Sequence, residues 1–254
     1  MIFVSSREVG EACRHEVVTY GRGFFKSEWL ETGTDEHVSP TVTLAEQPPH
    51  SVLEPHFHRR NQFQLFPWPG GKFGREDIEP FLIHYAGAYT GYGPIVAGDE
   101  PLRYFTIRAA YDNGLIPSSQ ARERMPRGPK RQETCHYHPW PAGDLTSKIS
   151  TPQRETLLPF SEGLGVEVVR LPAGGTLQTS TIEDSAGQYV FVTTGTVQIK
   201  STGHQLGQHE SAYAPKNESA QITAGTMGAE VLLLHMPELA QIYRGAPVEK
   251  FVVA

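Results

Sequence analysis

The chain has 254 residues, enough to bury a sizeable core in one large or two modest domains. Hydrophobic residues make up 38% and charged residues 20%, with 25 glycines and 20 prolines, a turn-rich balance that favours many short strands over long helices. A net charge of −6 with scattered basic residues gives no electrostatic footprint for nucleic acid, and no apolar run approaches the ~20 residues that span a bilayer.

The start, "MIFVSSREVGEACRHEVV", has no basic segment leading into an apolar one, so no signal peptide is expected. Cys13 and Cys135 make no disulfide framework and read as incidental thiols in a reduced, cytoplasmic compartment. The stretch "GRGFFKSEWLETGTDEH" shows no sustained 3.6-residue period and reads as strand and loop pieces. From Thr41 the strand signals come quickly: "TVTLAEQ", "HFHRRNQFQLF", "FLIHYAGAY" and "LRYFTIRAAYD" are short extended runs, each bounded by Gly, Pro or Asp. The basic, Pro-rich "SSQARERMPRGPKRQETCHYHPWPAGD" reads as a surface connection between two similar halves. Beyond it "VEVVRLPAGG", "QYVFVTTGTVQIKSTG", "ESAYAPKNESAQITAG" and "AEVLLLHMP" repeat the same grammar, which suggests internal duplication. The expected division is residues 1–120, a linker over 121–150, and 151–254.

The stretch "EPHFHRRNQFQLFPWPGG" carries a family resemblance. His56-x-His58, then Gln62 after three residues, then Gly70-Gly71, resembles the first motif of the cupin superfamily. In the second half, "LPAGGTLQTSTIEDSAGQYVFVTTGTVQI" and "GQHESAYAPKNESAQI" look like the strand, hairpin and turns of the same fold. The likeness covers most of residues 41–110 and 155–236, and implies an all-β chain of two tandem antiparallel jelly-roll domains, a bicupin. It also departs from the family: no histidine follows "AYTGYGPIVAG", and Thr179, Ser180 and Thr181 occupy the second half's His-x-His slot. The C-terminal domain is therefore expected to be degenerate and metal-free.

Strand side chains alternate with period two, so His56, His58, Gln62 and Gln64 should share one face, with Phe57, Phe63 and Leu65 on the other. Two imidazoles on one face, an oxygen from Gln62 and a neighbouring-strand histidine, His84, make a candidate site for a divalent transition metal: Fe, Zn, Ni, Mn or Cu. An amide in place of the family's acid removes one negative charge and lowers affinity for a cation. The competing reading is that His56 and His58 hydrogen-bond within a polar barrel lining.

Tyr89 and Tyr92 are candidate proton-transfer groups, and Gln64, Tyr85 and Arg59 candidate substrate contacts; ordinary packing is the alternative for the tyrosines, and a solvated edge for Arg59 and Arg60. Cys135, His136 and His138 are zinc-type residues crowded into one loop with no distant partner pair, a poor zinc signature. Two functions are therefore expected as alternatives. One is a metal-dependent cupin enzyme, of dioxygenase, isomerase or lyase type, acting on a small polar molecule. The other is a non-catalytic bicupin with a ligand-binding or structural role. The apolar positions Phe57, Phe63 and Leu65, with the family habit of pairing barrels, predict a homodimer.

Overall fold

A computed structural model describes residues 1–19 and 21–245. Strands dominate, and among the described residues they pair antiparallel, as the run of short, turn-bounded segments predicts. The described helices are brief; none is long and apolar enough to cross a membrane. The chain forms two compact units: Ala12–Glu28 and Gly33–Thr134 with the described residues 239–245, and Met1–Glu11, Trp29–Thr32 and Cys135–Glu238. Residues 121–150, read above as a bare connection, carry the helices Ala121–Arg124 and Ala142–Lys148 and the strand Gln132–His136.

In the N-terminal unit a seven-stranded sheet runs in the order Gln132–His136, Leu82–Ala86, Gln62–Phe66, Leu102–Arg108, Thr41–Gln47, Arg22–Glu31, His15–Thr19. Register decides which side chains share a face. Gln64 lies opposite His84 on one side and Thr106 on the other, and Thr106 lies opposite Thr43. One level along, Phe66, Leu82, Leu102 and Tyr104 on that same face pack with Ile95 and Tyr92 in one apolar cluster. The opposite face, with Phe63, Leu65, Ile83, Phe105 and Ile107, is fully buried too. Phe57 is equally buried, so the three apolar residues invoked for dimer pairing offer no exposed face.

The expected regular strand through residues 56–66 is broken. His56–Phe57 pairs with Ile116–Pro117, a bend follows, and Gln62–Phe66 enters the large sheet. The intervening segment, 58–61, lies outside both strands, so the bend and not strand alternation sets where His58 points relative to Gln62.

The C-terminal unit is built on two long strands, Ser185–Ile199 and Gln221–Pro237, flanked by Ser211–Pro215 and Leu164–Leu171. Phe3–Ser5 forms the sheet's edge by pairing with Ser211–Pro215. Val190, Val192, Val231, Leu233 and their neighbours fill an apolar core. Buried Glu230 accepts from Arg170 Nε at 2.7 Å, from the Trp140 N–H at 3.0 Å and from the Tyr137 hydroxyl. The sequence "ETCHYHPWP" is thus anchored through Tyr137 and Trp140. Burial pushes the Cys135 thiol up to about 12, which makes it a poor ligand or nucleophile at neutral pH.

Candidate functional site

His56, His58 and Gln62 do converge inside the N-terminal unit, as the sequence expects, although through a bend and not along one strand, and each is at most 9% exposed. Their partners fix the chemistry. Backbone hydrogen bonds between His56 and Tyr92, at 3.1 and 3.0 Å, lock the two residues side by side. His56 Nδ1 donates to the Glu54 carbonyl at 2.8 Å, so its Nε2 is an acceptor and takes the Tyr92 O–H at 2.9 Å. Gln62 Nε2 donates to the same phenol oxygen, and Gln62 Oε1 accepts from Arg108 Nε at 2.9 Å and Nη2 at 2.6 Å. His58 Nδ1 donates to Asp112 Oδ1 at 2.7 Å, while Arg108 Nη2 comes within 3.4 Å of that nitrogen. Asp112 also accepts backbone N–H groups from Arg59 and Gly114, each at 3.0 Å.

The charges follow from burial and neighbours. Burial, reinforced by the adjacent His58 ring, lowers His56 to about 3. Burial lowers His58 as well, against the pull of Asp112. Burial alone takes His84 to about 4. All three imidazoles are therefore neutral at pH 7. Burial works to raise the Asp112 carboxyl, but the His58 and Arg108 groups beside it win and hold it well below the usual carboxylate range. Tyr92 is pushed far above the ordinary phenol value by burial, so its proton stays on.

These residues do not fit a divalent metal ion. The His56 lone pair holds the Tyr92 proton, and the Gln62 oxygen holds two guanidinium N–H groups. A fixed positive charge, Arg108, lies where a cation would need its ligands. Among the described residues no group of three or more His, Cys, Asp or Glu side chains is arranged to hold a metal. His84, the proposed third histidine, lies further along the interior: its Nδ1 bonds Thr134 Oγ1 at 2.9 Å and its ring faces Phe73 at 4.4 Å.

Of the other candidates, Tyr92 belongs to the site and Tyr89 does not. Tyr89, held at φ 57°, turns into a separate cluster with Phe57, Ile116 and Tyr243. Tyr85 packs tilted against Phe63, ring centroids 5.3 Å apart, on the face opposite Gln64 and His84. Arg59 and Arg60 are each 7% exposed, which corrects the solvated-edge reading; Arg60 is gripped by the Glu36 carboxylate and carbonyl. Arg108 and Asp112 were not anticipated. Arg108 was findable, because the parity applied to residues 56–64 puts Tyr104, Thr106 and Arg108 on one face of "LRYFTIR".

No family model matches the chain, and no curated protein sequence matches it. Solved structures do. The bacterial pirin YhhW from Escherichia coli, in complex with nickel(II), superposes with a TM-score of 0.55 at 12% identity, covering 93% of this chain and 99% of its own. Oxalate decarboxylase from Lactobacillus farciminis, in a formate complex, gives 0.57 at 10% identity over 94% and 86%. These are cupin-fold proteins. The chain has the cupin fold. A third cupin neighbour, the 11S globulin of Wrightia tinctoria with an auxin binding site, gives 0.58 at 10% identity over 94% and 84%.

Proposed function

We propose that the chain is a bicupin whose N-terminal barrel binds a small polar molecule without a resident metal ion, and that it acts as a binding module. The observation that carries this reading is the double hydrogen bond from Arg108 to Gln62 Oε1, which sets a guanidinium among the residues that a cupin metal would use. The electrostatics favour binding over proton transfer. A general base works best with a pKa near the operating pH, and His56 near 3 with its lone pair occupied is far from it. Tyr92, held above the phenol range, is an equally poor acid. The cupin neighbour with an auxin binding site is consistent with ligand binding in this fold.

A second reading, a metal-dependent enzyme, is favoured by the nickel(II) complex of the pirin. It requires Arg108 to leave Gln62. One experiment separates the two: load the purified protein with nickel(II) or zinc(II), desalt it, and measure bound metal beside the His56→Ala, His58→Ala double variant. The binding-module reading expects the same substoichiometric metal in both. One equivalent of metal in the parent, lost in the double variant, would overturn the binding-module reading and support the enzyme reading instead.

A further inference from the structure

One level of the N-terminal barrel is unlike those above and below it. Thr43, Thr106, Gln64, His84 and Thr134 form a polar belt across five adjacent strands, by register for the first four and by the His84–Thr134 hydrogen bond for the last. Below it lie the apolar Phe66, Leu82 and Tyr104; above it the Gln62–Arg108 pair. Within this belt Gln64 is 0% and His84 2% exposed, yet Gln64 Oε1, Gln64 Nε2 and His84 Nε2 have no hydrogen-bond partner. Buried polar atoms are nearly always paired, because each orphan costs about 1–3 kcal/mol. Three on cross-strand neighbours of one face are a local concentration of unmet hydrogen bonding. Thr106 keeps partial exposure although Tyr104 and Arg108 beside it are buried, and Thr134 is exposed, so solvent reaches the residues on either side of the sealed Gln64–His84 pair.

Building on the binding-module reading, we propose that Gln64 and His84 form its recognition edge, taking a small uncharged molecule that carries a hydrogen-bond donor and an acceptor side by side. A carboxamide, a lactam or a protonated carboxyl group has that pattern. The Gln64 amide offers one oxygen acceptor and one N–H₂ donor, the complement of such an edge, and His84 Nε2 adds a third contact. The belt contains no formal charge to balance an ionised ligand, and an unbalanced charge in an apolar surround is strongly disfavoured. The Phe73 ring, 4.4 Å from His84 and nearly parallel to Tyr92 at 5.9 Å, supplies an apolar wall.

The test is a titration of the ¹⁵N-labelled full chain with acetamide, and separately with acetate at pH 7, followed through the Gln64 side-chain N–H₂ and His84 ring resonances. Acetamide should shift both in a saturable manner and acetate should not. Gln64→Leu should abolish the His84 response while its melting temperature holds or rises, since the substitution removes two unpartnered polar atoms. An absent acetamide response, an equal response to acetate, or a Gln64→Leu protein that melts lower or does not fold would overturn the proposal, the last by making Gln64 a structural residue. Uptake of one equivalent of nickel(II) would instead defeat the metal-free reading beneath it. Silence toward acetamide in a protein that takes up no metal defeats this inference alone.

Discussion

Arg108 decides what the inner site is, and its own replacement is the sharpest residue-scale test. Arg108→Leu leaves Gln62 Oε1 without its two donors and the Asp112 carboxylate without a neighbouring positive charge. Removing one member of a buried charged network costs about 3–5 kcal/mol, far more than the net worth of an exposed pair. Urea unfolding should therefore place Arg108→Leu about 3 kcal/mol or more below the parent. A change under 1 kcal/mol would mean that the network is idle. The histidine pair and Gln62 were legible in the sequence because they are close along the chain, although a bend and not one continuous strand brings them together. The Asp112 contact was not: residues 58 and 112 are far apart along the chain, and their meeting, which the Arg59 and Gly114 backbone N–H groups also hold, depends on the finished fold. Nor was the loss of Tyr89 from the site, since its positive φ, which reorients the side chain, has no signal in a phenol-rich segment.

At the scale of elements, the strand Ser185–Ile199 is too long to run straight through one flat sheet. It pairs with Gln221–Pro237 through register shifts between Val192 and Thr194 and between Gly195 and Val197, where the extra residue bends the strand. Gly195 holds φ 78°, and a β-carbon there would come 2.2 Å from the Gly228 carbonyl oxygen. Backbone cannot yield as a side-chain tip can, so Gly195→Ala combines left-handed strain with a main-chain clash. The expected loss is about 3 kcal/mol or more in denaturant midpoint stability, with an unchanged denaturant slope if the fold is kept. A neutral Gly195→Ala would show that the bend is made elsewhere. The sequence "VTTGTV" marks this hinge openly. It does not mark the pairing of Phe3–Ser5 with Ser211–Pro215, which joins residues about two hundred positions apart and depends on the finished sheet edge.

For the whole molecule, the buried neutral histidines set the response to acid. His56 is lowered to about 3, His84 to about 4 and, in the C-terminal unit, His235 to about 4, all chiefly by burial. The sign is fixed by proton counting: below the ordinary value of 6.5 the unfolded chain takes up protons on these rings and the folded chain does not. Stability is therefore intact above pH 6.5 and falls as pH drops from there toward 4 or 3. Well inside that window each ring contributes ~1.4 kcal/mol per pH unit, so the three together remove about 6 kcal/mol by pH 5. That is comparable to the entire folding free energy of an ordinary domain, which lies at about 5–15 kcal/mol. Acid unfolding should accordingly begin near pH 5, before the carboxylates protonate. Asp112 adds its own loss only below about pH 4, where the unfolded carboxyl, with its ordinary value of 3.8, takes up a proton and the depressed folded one does not. Denaturant titrations at half-unit steps from pH 7.5 to 5 should show at least three protons taken up on unfolding at the acid end, with His58, which burial also lowers, adding to the three. His235→Gln should remove one of them, and a stability profile flat across that range would mean that these rings are charged in the fold and that the neutral interior assigned to both units is wrong.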